Sequence, residues 1–471
     1  MNKTALIAVL VVAVIAVAAA AAFLMMNNGN GDKDKDSKDS DSVFSDPGKR
    51  IGEDMSKKLP SSASRLWVYG NSNEDDRVNQ ADVTYLEGVV SGKNVRTELS
   101  DTNADGVVNQ ADVDYLKSIL AAGESTKLNV YYIDDYNTIQ KVSWPVKTIA
   151  ISYCSGVYTT EVTGLMDKVA MVNDEIKNNN WLYLNSRFQK VPSSGSVSSP
   201  DWEEILKAKI DVYVPGYFSG DTDSIARDQL KGMDVMFKHT CDGSGIPNIN
   251  IDRSILMYGY LLQGDMDLTY KYLAWHDDCM AKMKAAAAKL TPAQKENLVM
   301  GRSFISTGAS TYSITGGQNT NLMHASWAGV NCPTQSLALT PNLYNSLTME
   351  QIETVMMQSA KASNNTVYYI INEHDGLRNS KDLDVGVPAW AEVLKNRPET
   401  IHYLGMAREG GNSPFYVVEM AFYQNVLYPE LDTGLNYREM MDYFIDNFTD
   451  ETENYKQYFD IDNFFKDFGV I

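Results

Sequence analysis

From about residue 128 the sequence alternates short apolar runs with longer amphipathic ones, and this alternation narrows the possible folds more than any other feature. Lys147-Thr148-Ile149-Ala150-Ile151-Ser152, Lys168-Val169-Ala170-Met171-Val172 and Ile210-Asp211-Val212-Tyr213-Val214 each read as a strand. Runs with so little polar alternation suit strands buried on both faces, as in a parallel sheet covered by helices. Helical segments separate them. One follows the polar loop Tyr153-Cys154-Ser155-Gly156 and runs to about Met166, and Asp201-Trp202-Glu203-Glu204-Ile205-Leu206 opens another. A second set of strands begins at Asn297-Leu298-Val299-Met300-Gly301 and includes Val367-Tyr368-Tyr369-Ile370-Ile371. Between the sets, residues 266–290 carry apolar side chains at helical spacing. The pattern predicts an α/β protein of two doubly wound lobes joined by a single long helix.

At 471 residues the chain is too long for one ordinary core, and roughly 150 residues per domain gives about three units. The predicted divisions are 1–26, 27–63, 66–122, 128–250 for the first lobe, 251–295 for the connecting helical segment, and 296–471 for the second lobe. Forty-one Lys and Arg stand against 61 Asp and Glu, a net charge of −20. That balance argues against nucleic-acid binding, which needs clustered cations, and suits divalent cations or cationic partners. Cys154, Cys241, Cys279 and Cys332 form no C-x-x-C pair, so neither a zinc ribbon nor a redox pair is indicated.

Residues 5–26 are an unbroken apolar run, about 33 Å long as a helix and enough for a hydrocarbon core of about 30 Å. Lys3 and the terminal amine precede it, which places the short tail in the cytoplasm and the rest outside. The run reads either as an uncleaved anchor or as a signal peptide cut within 18–22. Phe23-Leu24-Met25-Met26 extends it past such a cut and favours the anchor. The expected location is the outer face of the cytoplasmic membrane, or the exterior if the segment is cleaved. Residues 27–63, rich in Asn, Gly, Asp, Lys and Ser, read as a disordered linker.

A 30-residue repeat follows, RVNQADVTYLEGVV at 77–90 and VVNQADVDYLKSIL at 107–120. In the second copy Asp101, Asn103, Asp105, Val107, Asn109 and Asp112 occupy positions 1, 3, 5, 7, 9 and 12 of a twelve-residue calcium loop, with Gly106 at position 6. A hard cation takes six to eight oxygens, alternate residues of a tight loop point inward, Gly permits the sharp turn, and position 7 offers its backbone carbonyl. The first copy offers Asn71, Asn73, Asp75, Arg77 through its carbonyl, Asn79 and Asp82. Asn71 replaces the first Asp and Asp76 replaces the turn Gly, so weaker binding is expected there. Calcium is the expected cofactor of both loops.

A loop followed by one helix, twice, with Asp rather than Glu at position 12, resembles a type I dockerin over residues 66–122. The resemblance implies a small all-α module that docks on a cohesin. It also implies that Gln80-Ala81 and Gln110-Ala111, identical in the two copies, present a near-symmetric face. The alternative is a calcium staple acting only within the chain.

The larger region, about 128–445, resembles the class III solute-binding proteins of ABC importers. The carriers are the opening IDDYNTIQKVSWPVKTIAIS, Gly164-Leu165-Met166-Asp167-Lys168-Val169, Asp201-Trp202-Glu203-Glu204-Ile205 with Asp211-Val212-Tyr213, and Ser346-Leu347-Thr348-Met349-Glu350-Gln351-Ile352. Tyr158 stands where that family often has Glu, and Ile210 where it usually has Pro. The resemblance implies capture of an iron chelate (siderophore or haem) or a corrinoid, so that the transported ligand contains iron or cobalt. It further implies delivery to an ABC permease, with Glu203 and Glu350 as the docking carboxylates.

In open α/β sheets ligands bind beyond the carboxyl ends of the strands. The loops there, with an insert at 178–188, nominate Tyr153, Trp181, Arg187, Tyr217, Tyr312, Glu373, His374 and Arg408 as ligand-binding residues. Aromatic walls suit a large planar or chelated ligand, Arg suits its carboxylates, and Tyr or His can ligate haem iron. No G-x-S-x-G elbow, H-E-x-x-H or P-loop occurs, so no enzyme is expected. The rival reading is a cell-surface assembly protein whose dockerin-like module is the functional end.

Overall fold

The structure, a computed structural model, describes residues 61 and 64–471 apart from 135–137, 153, 179–185, 198, 216–220, 237–250, 303–308, 317–319, 337–343, 363–365, 374–380, 408–412, 451 and 459. The apolar run at 5–26 and nearly all of the linker at 27–63 lie outside the described residues. Among the described residues no helix is long and apolar enough to cross a membrane.

The repeat folds as two loop–helix units, with helices α1 (Gln80–Val90) and α2 (Gln110–Leu120). Val83, Leu86, Val113 and Leu116 point inward from both and form a small shared core. A hairpin of β1 (Leu128–Ile133) and β2 (Ile139–Trp144) comes next. The lead-in before α1 adds to its edge: Tyr69 N–H donates to Tyr131 O at 3.0 Å, and Ile133 N–H to Trp67 O at 2.9 Å. The 66–122 segment is therefore all-α only in its repeat, and its lead-in is hydrogen-bonded to the α/β region.

The first lobe is a four-stranded parallel sheet. It contains β3 (Ile149–Ile151), then helix α3 (Cys154–Val162), β4 (Val169–Val172), helix α4 (Trp202–Ala208), β5 (Val212–Val214) and β6 (Asp234–Val235). The spatial order is β4-β3-β5-β6. Every residue of β3 is fully buried, as its unbroken apolar run requires.

The connecting segment is two helices, not one: α5 (Ile251–Leu261) and the 22-residue α6 (Met266–Ala287). Gln263, between them, has φ +55°, and Asp265 restarts the helix by accepting from Leu268 N–H. Tyr272, Leu273, His276, Cys279, Met280, Met283 and Ala286 form the buried stripe of α6. Trp144 Nε1–H donates to Leu261 O, and Lys168 Nζ to the carbonyls of Leu262 and Gln263, each at 2.8 Å, which pins the end of α5 to the first lobe.

The second lobe holds β7 (Leu298–Arg302), β8 (Tyr312–Thr315), helix α7 (Thr320–Trp327), β9 (Tyr344–Leu347), helix α8 (Met349–Ala362), β10 (Thr366–Glu373), helix α9 (Lys381–Leu394), β11 (Thr400–Ala407), helices α10 (Tyr416–Leu427), α11 (Tyr437–Phe448) and α12 (Thr452–Tyr458), and β12 (Phe465–Val470). Its order is β9-β8-β7-β10-β11-β12. The pairs β7–β10 and β10–β11 are parallel, whereas β8, β9 and β12 join the margins by antiparallel pairing. This corrects the expectation of a fully doubly wound second lobe. Antiparallel margins need no crossover helix and are common on otherwise parallel sheets. Helix α10 is buried along nearly its whole length, and it helps fuse both lobes into one continuous core.

Candidate functional site

The two repeat loops close in the same way. Asp82 Oδ1 accepts from Asn73 N–H at 3.2 Å and Oδ2 from Asn79 N–H at 2.9 Å. Asp112 does the same with Asn103 and Asn109, at 3.2 and 2.8 Å. Position 12 thus ties positions 3 and 9, and it also completes a capping box at the start of each helix. Asp105 N–H and Gly106 N–H donate to the two oxygens of Asp101 at 3.0 and 2.8 Å. Gly106 takes φ +92°, the left-handed turn that its lack of a Cβ allows.

The donor set fits a hard cation. Burial pushes the carboxyls of Asp82 and Asp112 up to about 6 against their amide bonds. Asp75 adds to the rise at Asp82, and Asp101 and Asp105 add to it at Asp112. Asn71 is fully buried, and its Oδ1 has no hydrogen-bond partner. Sunken carboxylates beside an unsatisfied amide oxygen are stabilised by a divalent ion among them. The residues that would hold calcium are those nominated from the spacing, with Arg77 and Val107 supplying backbone carbonyls.

Asp76 has a role that the spacing does not reveal. It sits at φ +66°, and its Oδ1 accepts from Arg65 N–H at 2.6 Å and Leu66 N–H at 2.9 Å. Its carbonyl accepts from the Tyr270 hydroxyl of α6 at 2.8 Å, and the Arg77 guanidinium lies 3.9 Å from the centre of the Tyr270 ring. Arg65 continues to Asp277 at 2.9 Å. His276 then offers Nδ1 to Asp277 and Nε2 to Asp252, both at 3.2 Å. Asp252, His276 and Asp277 could hold a metal ion by proximity. The imidazole, however, turns a different nitrogen to each carboxylate, and Nε2 also meets the Tyr416 hydroxyl at 2.5 Å. One ion cannot use both nitrogens, so the cluster reads as an ion-pair junction. Burial raises the carboxyl of Asp252. At Asp277 burial acts the same way, but the His276 hydrogen bond and Arg65 outweigh it and lower the pKa.

The cleft residues are not brought together within the described residues. Tyr153, Trp181, Tyr217, His374 and Arg408 lie outside them. Arg187 falls in the turn Ser186–Gln189, and Glu373 ends β10. Tyr312 opens β8, is 7% exposed, and packs on Trp390 with ring centres 5.6 Å apart. A groove of about 870 Å³, lined in part by Lys127, Trp144, Leu206, Asp211 and Lys231, lies at the amino ends of β3, β5 and β6. That is the end of the sheet opposite the expected cleft.

Glu203 and Glu350 are exposed, each in the first turn of its helix, α4 and α8. These helices lead into β5 and β10, strands of the two parallel cores, so the glutamates hold equivalent places in the two lobes. Cys279 and Cys332 are buried free thiols, pushed up to about 11 and about 12 by burial.

No family model matches the sequence, and no curated protein matches it. Among solved structures the chain is similar to a periplasmic solute-binding protein from Veillonella parvula, at 15% identity and a TM-score of 0.49, over 69% of this chain and 95% of that one. It is also similar to an ABC transporter solute-binding protein from Sulfurospirillum deleyianum, at 14% identity and 0.49, over 70% and 98%. A periplasmic haem-binding protein of Vibrio cholerae matches at 16% and 0.40, over 60% and 100%.

Proposed function

We propose that the chain is an extracytoplasmic solute-binding protein of an ABC importer. It captures an iron chelate or a corrinoid between its lobes, catalyses no reaction, and is held to the membrane by residues 5–26. The supporting observation is the architecture: two sheets with parallel cores, joined by one passage of the chain through α5 and α6. Each lobe presents carboxyl strand ends where a ligand can be gripped, and each carries an exposed glutamate for the permease. The two repeat loops hold calcium.

Thermal melting in the presence of ferric siderophore, haem and cobalamin tests the capture reading. A ligand at about 100 times its Kd adds about 2.7 kcal/mol of stability. A melting point unmoved by all three, with no iron or cobalt co-purifying, would sink the reading. The exposed Gln80-Ala81 and Gln110-Ala111 pairs leave a face for a cohesin-like partner. A pull-down with cohesin modules, with and without chelator, tests that second role.

A further inference from the structure

The two loops share one geometry, yet the first departs from the second at five of twelve positions, and three of these, at positions 1, 6 and 7, make contacts beyond the loop. At position 1, Asn71 replaces an Asp, and its Nδ2 donates to Leu66 O at 2.9 Å, which a carboxylate could not do. At position 6, Asp76 replaces Gly, and its side chain holds the amides of Arg65 and Leu66. At position 7, Arg77 replaces Val, and its guanidinium covers Tyr270 of α6. At the matching places of the second loop Gly106 has no side chain, and Val107 is 58% exposed. The differences that looked like a weakened calcium loop tie it to its lead-in at Arg65 and Leu66 and, through Arg77 and the Arg65–Asp277 pair, to α6.

We propose that a cation in the first loop is read by the α/β body through α6. The inference rests on the calcium reading above and adds a direction of coupling. Positions 5 and 7, Asp75 and Arg77, flank Asp76, so an ion ligated by the Asp75 carboxylate and the Arg77 carbonyl fixes the intervening peptide. That peptide is the one Tyr270 grips through the Asp76 carbonyl. Fixing it also aims the Arg77 side chain over the Tyr270 ring and holds the Asp76–Arg65 pair that leads to Asp277 on the next turns of α6. From there His276 meets Tyr416 at the start of α10 in the second lobe. Calcium at the first loop therefore stabilises the junction between the lobes, whereas the second loop packs through Ala104 on Ile133 and Ile139 of the β1–β2 hairpin. An ion that binds only the docked state raises the stability of everything docked with it.

The test uses the full chain with Asp101→Ala, which removes position 1 of the second loop and leaves the first as the remaining site. Terbium, a luminescent calcium substitute, reports occupancy, and hydrogen exchange read by mass spectrometry reports the amides of 266–280. Calcium is expected to slow exchange in 266–280 severalfold relative to chelator. A Tyr270→Phe, Arg77→Ala double change in that background keeps every ligand oxygen, since Arg77 contributes only its carbonyl. It should keep terbium binding and lose the calcium-dependent protection. Terbium bound with exchange in 266–280 unchanged by calcium in the Asp101→Ala protein would overturn the coupling. No bound terbium in that protein would instead overturn the first loop as a cation site, and the coupling with it.

Discussion

Asp76 occupies a backbone conformation that costs an ordinary side chain roughly 1–2 kcal/mol. Glycine would relieve that cost, so a reading by loop motif alone predicts that Asp76→Gly stabilises the protein. The structure predicts the opposite. The substitution removes hydrogen bonds to two backbone amides and an ion pair with Arg65. Hydrogen bonds to charged groups are worth roughly 1.5–3 kcal/mol each before exposure reduces them, so a net loss of about 1–2 kcal/mol is expected in chemical denaturation at fixed calcium. A more stable variant would show that the docking contacts contribute little. In the second loop Asp101→Ala should weaken calcium binding more than Asn71→Ala does in the first, because it removes a charged ligand that also organises two loop amides. Calorimetric titration of the two variants would check the order. At this scale the closure of the loops was legible, because the spacing of Asp, Asn and Gly sets the turn and the cap that ends it. Asp76 was not legible, because its partners lie outside the loop.

The apolar runs at β3, β4, β5 and β7 announced themselves, since a strand buried on both faces has little room for polar side chains. The hairpin β1–β2 and the antiparallel margins β8, β9 and β12 did not, because half-exposed strands mix polar and apolar residues and resemble loops in sequence. Helices α4 and α8 carry an element-scale prediction. The start of α4 is already capped by the Asp201 side chain on Glu204 N–H, and that of α8 by the reciprocal Thr348–Gln351 bonds. Neither Glu203 nor Glu350 is needed as a cap, so each contributes only its favourable place in the helix dipole, roughly 0.3–1 kcal/mol. Glu203→Ala and Glu350→Ala should barely shift the melting point or solute affinity. If the proposed docking holds, uptake through the permease should fall, most in the double variant, and further with Arg at both positions. Normal uptake by a folded, solute-loaded double Arg variant would remove both residues from docking.

The core runs without a break from Leu66 through both lobes to Phe465, and the contacts across it are polar as well as apolar. Glu161 of α3 in the first lobe accepts from the Tyr455 hydroxyl of α12 in the second at 2.7 Å, and both side chains are buried. Two lobes with no shared core would unfold separately, and a calcium module with no share in that core would unfold before either. Here the repeat helices keep a small core of their own, but Leu66, Val68 and Ile119 of the module belong to the continuous one, so calcium-loaded protein should melt in one transition, with the calorimetric enthalpy close to the van't Hoff value. Tyr455→Phe tests the same continuity from within. It keeps the ring and removes a hydroxyl that donates to buried Glu161 across the lobes. The expected cost is about 1.5–3 kcal/mol, seen as a lower melting point for the whole molecule with the transition still single. If only part of the heat moved to lower temperature, α3 and α12 would belong to units that fold apart. The lobes would then be free to swing widely around α5 and α6, and the proposed capture would proceed by large closure instead of the small hinge motion that a shared core allows.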